Sequence, residues 1–142
     1  MNLFEKEKKV YLNLIQKVDA DFFIVHARHG SEHYEAEADY SVFQECVETG
    51  KIIIANGDID SREKVQFLKS IGVSGVMIVR AAVRNPSIFN HLKGKSLEAE
   101  QTLRKEYLKL AEKYQSAEKY RVNILKRLGS FLPISDESIV RG

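Results

Sequence analysis

Ala55-Asn56-Gly57-Asp58-Ile59 and, about twenty residues on, Val76-Met77-Ile78-Val79-Arg80-Ala81-Ala82 are the stretches that decide the fold. Each is a short apolar run that ends in residues able to hold a phosphate. Lys51-Ile52-Ile53-Ile54-Ala55 is apolar without alternation and rich in β-branched side chains, which predicts a buried parallel strand. Gly75-Val76-Met77-Ile78-Val79 reads the same way. Asp60 to Ile71 between them carries helical periodicity, so the unit is strand, loop, helix, strand. In barrels built of such units, the loops at the C-terminal strand ends form the active site, and the last two strands commonly hold a phosphate.

Working outward, Asp21–His26 predicts a first buried strand, preceded by an amphipathic helix over 4–18 with Tyr11, Leu14, Ile15 and Val18 on one stripe. A polar loop, His29 to Asp39, leads to a short helix bearing Phe43, Cys46 and Val47 and ending at Gly50, a favoured helix-stop position. Asp60 and Glu63 have capping-box spacing, and Gly72 stops the following helix. Asn85-Pro86 starts a further helix. Leu103, Tyr107, Leu110 and Tyr114 predict an amphipathic helix, and Tyr120, Ile124, Leu125 and Leu128 a second, with the tyrosines as core or helix-pair contacts rather than base-stacking platforms. No internal repeat and no low-complexity segment is expected.

The expected fold is therefore α/β, a partial (β/α) barrel of TIM type containing the last strands only, followed by a small helical domain. Residues 1–92 form the barrel part, 93–130 the helical domain and 131–142 a tail. An eight-stranded barrel needs about 250 residues, and this chain has 142. Strands 21–26 and 75–79 should each present an unpaired edge, with Ile24, Ile53 and Met77 exposed on the barrel-facing side.

Charge is distributed unevenly. Residues 1–92 hold 11 Lys/Arg against 13 Asp/Glu, and residues 93–142 hold 11 against 7. A near-neutral body with a basic helical appendage suggests a polyanion partner. The single cysteine, Cys46, excludes an internal disulfide and reads as a small buried hydrophobe. No segment is long and apolar enough for a membrane, no signal peptide is evident, and a cytoplasmic location is expected. His26, His29 and His33 lack a partner set that would require a metal, and no serine lies in a nucleophile-elbow string.

Three strand ends place polar groups on one rim: His26 and Arg28, then Asn56, Gly57 and Asp58, then Arg80. Gly57 admits close approach of an anion to the backbone, and an arginine clamps a phosphate bidentately.

The strings His26-Ala27-Arg28, Ala38-Asp39-Tyr40, Ile54-Ala55-Asn56-Gly57-Asp58-Ile59 and Gly75 through Phe89, in that order and spacing, resemble the C-terminal half of the tRNA-dihydrouridine synthases. The resemblance covers about residues 20–92 and extends more loosely into the helices at 97–128. It implies an oxidoreductase in which FMN, at the mouth of a (β/α)₈ barrel, takes hydride from NADPH and passes it to the C5–C6 bond of a tRNA uridine. It further implies that Asn56, Gly57, Asp58, Val79 and Arg80 line the FMN phosphate, with Arg28 on the same rim and His26 nearer the flavin ring. RNA contact is expected from Lys105, Lys109, Lys113, Lys119, Arg121, Lys126 and Arg127.

The chain departs from the family pattern in three ways. Val79 stands where the family has glycine before the arginine. Cys46 is not on the loop of the family's cysteine proton donor, and the flavin-contacting lysine strand has no counterpart. FMN binding by this chain alone should then be weak or lost, and no catalytic residue is assigned. Such a chain is expected to be a C-terminal portion needing a missing N-terminal half or self-associating, half of a split enzyme, or a non-catalytic RNA-binding remnant.

Overall fold

The computed structural model describes residues 9–28 and 37–129. They divide into two compact units, the first taking the chain up to Ile59 and Glu63–Ile78, the second Asp60–Arg62 and Val79 onward. His29 and His33, with the rest of residues 29–36, and the tail at 131–142 lie outside the described residues.

The first unit is a three-stranded parallel sheet with helices. In chain order it contains α1 (Val10–Lys17), β1 (Phe23–His26), α2 (Ser41–Glu48), β2 (Ile53–Asn56), α3 (Arg62–Ser70, but for its first residue) and β3 (Gly75–Met77). Strand order is β1-β2-β3, with Phe23 opposite Ile53, His26 opposite Asn56, and Asn56 opposite Met77. Each strand is shorter than the apolar run that predicts it. Adjacent chain order and parallel pairing fit the right-handed strand–helix–strand connections that the sequence pattern demands.

One face of this sheet carries Phe23, Val25, Ile53, Ala55 and Val76, which join Ile15, Val42, Phe43, Cys46 and Leu68 in a single core. Successive side chains of a strand point to opposite faces, so Ile24, His26, Ile54, Asn56 and Met77 share the other. Ile24 is 52% exposed and Met77 42%, as the sequence leads one to expect, but Ile53 is fully buried among the helices. The neighbouring Ile52, also 52% exposed, is the isoleucine that stays in the open. A non-alternating run hides this parity, and one residue of register exchanges the faces. Gly75 belongs to the same open face: a Cβ there would come within 3.0 Å of Ile54 Cδ1, so the glycine lets Ile54 lie across β3.

Asp39 Oδ1 accepts from the Ser41 amide (3.1 Å) and hydroxyl (2.6 Å), satisfying an amide at the start of α2 that has no partner within the helix. Gly50, at φ 76°, is the left-handed stop after α2. Glu45 on α2 accepts from Lys9 Nζ (2.6 Å) and from the Tyr11 hydroxyl (2.9 Å), tying α1 to α2. The Lys9 bond, and then the Tyr11 bond, hold the Glu45 carboxyl below its usual range. Burial, reinforced by Glu45, pushes the Tyr11 phenol well above its own.

The second unit contains α4 (Arg80–Arg84), α5 (Ile88–Leu92), α6 (Glu100–Lys113) and α7 (Glu118–Leu125), so it starts ahead of residue 93. Its buried apolar residues are Ala81, Ile88, Leu103, Ala111 and Leu128. Asn85 organises the entry to α5: its Oδ1 accepts from the Ser87 amide (3.0 Å) and hydroxyl (2.6 Å), and the Ser87 hydroxyl accepts from the Glu98 amide (2.8 Å). The Asn85-Pro86-Ser87 string is thus a structural junction. On α6 the inward line is Leu103, Tyr107 and Ala111, while Leu110 and Tyr114 are exposed. The predicted stripe is displaced because α7 lies over small Ala111, where Arg121 Nη2 donates to the Ala111 carbonyl (3.2 Å). Tyr120 is likewise exposed, so neither Tyr114 nor Tyr120 is a core contact.

Candidate functional site at the strand ends

β1 and β2 both terminate in a polar residue on the open face, His26 and Asn56, and parallel register sets them side by side with Met77 as the third member of the row. Ligands of parallel α/β sheets bind beyond the C-terminal strand ends, and this row stands at that edge. Asn56 is steadied by its Nδ2, which donates to the Met77 carbonyl (3.0 Å). That bond fixes the plane of the Asn56 carboxamide. Among the described residues no cluster of three or more His, Cys, Asp or Glu could hold a metal ion.

Directly after the row, the chain turns through two successive positive-φ residues, Gly57 (φ 128°) and Asp58 (φ 44°). A Cβ on Gly57 would sit 3.3–3.4 Å from Ala38 Cβ, Ala27 Cβ and the Ala27 nitrogen. Glycine is needed here by the backbone and by the packing of two neighbouring alanines. The turn is braced from three sides. Tyr40 donates its hydroxyl to the Gly57 carbonyl (2.6 Å), Lys64 Nζ donates to the Asp58 carbonyl (2.8 Å), and Arg28 Nη2 pairs with Asp58 Oδ2. The Arg28 side chain is 5% exposed.

The expected rim residues thus fall into groups. His26 and Asn56 stand together on the open face. Arg28, Gly57 and Asp58 are held to one another or to their neighbours as the brace beneath. Val79 and Arg80 belong to the second unit, where Val79 precedes α4 and is half exposed and Arg80 is its first residue. Tyr40, Lys64 and Met77 join the site without being marked as site residues by sequence. The Ala38-Asp39-Tyr40 string is the one signal for Tyr40, and nothing in the spacing of Lys64 shows it reaching back to Asp58. Cys46 is fully buried on α2, and burial, with Glu45 beside it, pushes its thiol up to about 11. It is the small hydrophobe that its helical position suggests.

A group with a flat heteroaromatic ring and a polar edge suits the His26–Asn56 row, which offers an imidazole and a carboxamide side by side, flanked by Met77 and above the apolar Ile24 and Ile54. Of the basic residues, Lys105, Lys109, Lys113, Lys119, Lys126 and Arg127 are exposed, whereas Arg121 is half-buried. Arg121 also donates its Nε to the Ser116 carbonyl (2.6 Å) and so clamps the α6–α7 turn.

Residues 4–133 match the family model described as dihydrouridine synthase. The chain belongs to the dihydrouridine synthase family. Among curated dihydrouridine synthases it is 43% identical over 70 residues to tRNA-dihydrouridine synthase B of Xanthomonas campestris pv. campestris, covering 48% of this chain and 21% of that protein. It is 30% identical over 109 residues to a probable tRNA-dihydrouridine synthase of Helicobacter pylori, covering 72% of this chain and 33% of the relative. A human protein, tRNA-dihydrouridine(47) synthase [NAD(P)(+)]-like, is 34% identical over 71 residues, which is 49% of this chain and 11% of its own length. The chain thus spans only a minor part of each of these synthases. No helix among the described residues is long and apolar enough to cross a membrane.

Proposed function

We propose that this chain is the C-terminal portion of an FMN-dependent tRNA-dihydrouridine synthase. In that role it supplies the last three strands of a (β/α) barrel and the helices that meet tRNA. The observation that carries it is the in-register His26–Asn56 row, standing at the C-terminal ends of parallel strands on the face of the sheet opposite its core.

FMN, when bound, carries hydride from NADPH to the C5–C6 bond of a tRNA uridine. His26 would stand nearer its ring, with Asn56 beside it in the same row. Arg28 and Asp58 neutralise each other and keep the Gly57 turn in shape. Arg80, which the family resemblance assigns to a phosphate, belongs to the second unit with Val79 before it. A Val79 side chain at this place weakens a phosphate contact, and the proton donor comes from strands outside this chain. The apolar open face, with Ile24, Ile52 and Met77, packs against those strands, since an exposed patch of this kind favours burial. Basic α6 and α7 meet tRNA phosphates.

The test is co-expression with the N-terminal portion of a tRNA-dihydrouridine synthase B, in cells lacking their own synthases, with mass spectrometry of the tRNA. Dihydrouridine should appear with the pair and with neither half alone. A folded, associated pair that produces none would defeat the enzymatic reading.

A further inference from the structure

Ala-Glu-Lys-Tyr occurs twice in ten residues, as Ala111-Glu112-Lys113-Tyr114 and Ala117-Glu118-Lys119-Tyr120, a short local repeat against the expectation of none. The first copy closes α6, with Tyr114 as its C-cap, and the second opens α7, with Ala117 as its N-cap. Both tyrosines point outward, at 71% and 57% exposure. In each copy the lysine folds over its own tyrosine: Lys113 Nζ lies 5.3 Å from the Tyr114 ring centroid and Lys119 Nζ 4.9 Å from that of Tyr120, both within cation–π range.

The turn between the copies is held rigidly. Gln115, in the left-handed conformation at φ 50°, donates its amide to the Glu112 carbonyl, and the Ser116 amide donates to the Ala111 carbonyl. That pair of bonds is a Schellman closure. Arg121 adds its two guanidinium bonds to the Ala111 and Ser116 carbonyls. A pre-organised turn therefore displays two aromatic faces, each with an ammonium beside it. The surroundings are basic, with seven Lys/Arg against three Glu over residues 105–127.

We propose that Tyr114 and Tyr120 are stacking platforms for unpaired bases of the tRNA, with Lys113 and Lys119 neutralising the phosphates that flank them; this rests on the tRNA-binding role proposed for α6 and α7. Proteins recognise unstacked RNA bases by laying them on aromatic rings, while backbone charge supplies the sequence-independent affinity.

The full chain, and its Tyr114→Ala/Tyr120→Ala and Tyr114→Phe/Tyr120→Phe variants, are titrated with a uridine dodecamer, an RNA duplex and tRNA at two salt concentrations. Both positions are exposed, so circular dichroism should match across the three proteins. Stacking contributes about 1–3 kcal/mol per base, so the alanine pair, which removes two platforms, should lose about thirty-fold or more in affinity for the single strand and for tRNA. Duplex affinity and the salt slope should stay unchanged, and the phenylalanine pair should bind as the native chain does. Native affinity of the alanine pair for single strand and tRNA would overturn the stacking role while leaving the tRNA-binding role intact. Failure of the native chain to bind any RNA would overturn both.

Discussion

Arg28 and Asp58, thirty residues apart, form an ion pair beneath the strand ends, the arginine side chain only 5% exposed and the aspartate 28%. Removing one partner of a buried pair leaves the other charge desolvated. Asp58→Ala is therefore expected to destabilise the first unit by about 3 kcal/mol in denaturant titrations. Equal midpoints for Asp58→Ala and the native chain would contradict the brace.

Cys46 provides a pH test. Burial raises its thiol from the ordinary 9.0 to about 11. The folded state thus favours the neutral thiol, and this contribution is complete below pH 9 and lost as pH rises toward 11. At pH 8 a disulfide reagent should react with the unfolded chain about ten-fold faster, or more, than with the native one. Equal rates would mean that the thiol is accessible.

The open face of the sheet predicts association. Ile24, Ile52 and Met77 are exposed together, and β1 and β3 each have an edge unpaired among the described residues. Light scattering on the isolated chain should show oligomers at micromolar concentration, reduced by Ile24→Lys with Met77→Lys. A monodisperse monomer across that range would contradict the expectation.

Charge reversal of Lys109, Lys119 and Lys126 should weaken tRNA binding and flatten its salt dependence, by roughly 0.7–0.9 in log–log slope for each phosphate that is no longer neutralised. Arg121 is left out of this variant because its guanidinium holds the α6–α7 turn. Filter binding at two salt concentrations is the measurement, and unchanged slope and affinity would remove these lysines from the interface.

Much of the fold is legible in the sequence. Runs such as Lys51–Ala55 mark parallel strands because both faces of such a strand can take apolar side chains. The same property hides which face Ile53 takes, since only alternation reveals parity. Asn56 and His26 are readable as strand-end polar residues, but their direct opposition is a matter of register. Arg28 and Asp58 both look like ligands. Their mutual pairing depends on a contact thirty residues apart, which no local pattern encodes. Leu110, Tyr114 and Tyr120 obey helical spacing yet stay outside, because the approach of α7 over Ala111 selects the buried side of α6.

Titration of FMN into the full chain, followed by flavin fluorescence, tests most directly whether this chain carries one wall of a flavin site. With only His26, Asn56 and the phosphate contact available, a Kd on the order of 100 μM, about 5.5 kcal/mol, is predicted. Asn56→Ala should weaken it by about five-fold or more, the loss of roughly one hydrogen bond, and riboflavin should bind more weakly than FMN. No change in fluorescence up to about 1 mM FMN, with tRNA binding retained, would contradict the flavin site and leave an RNA-binding module without chemistry.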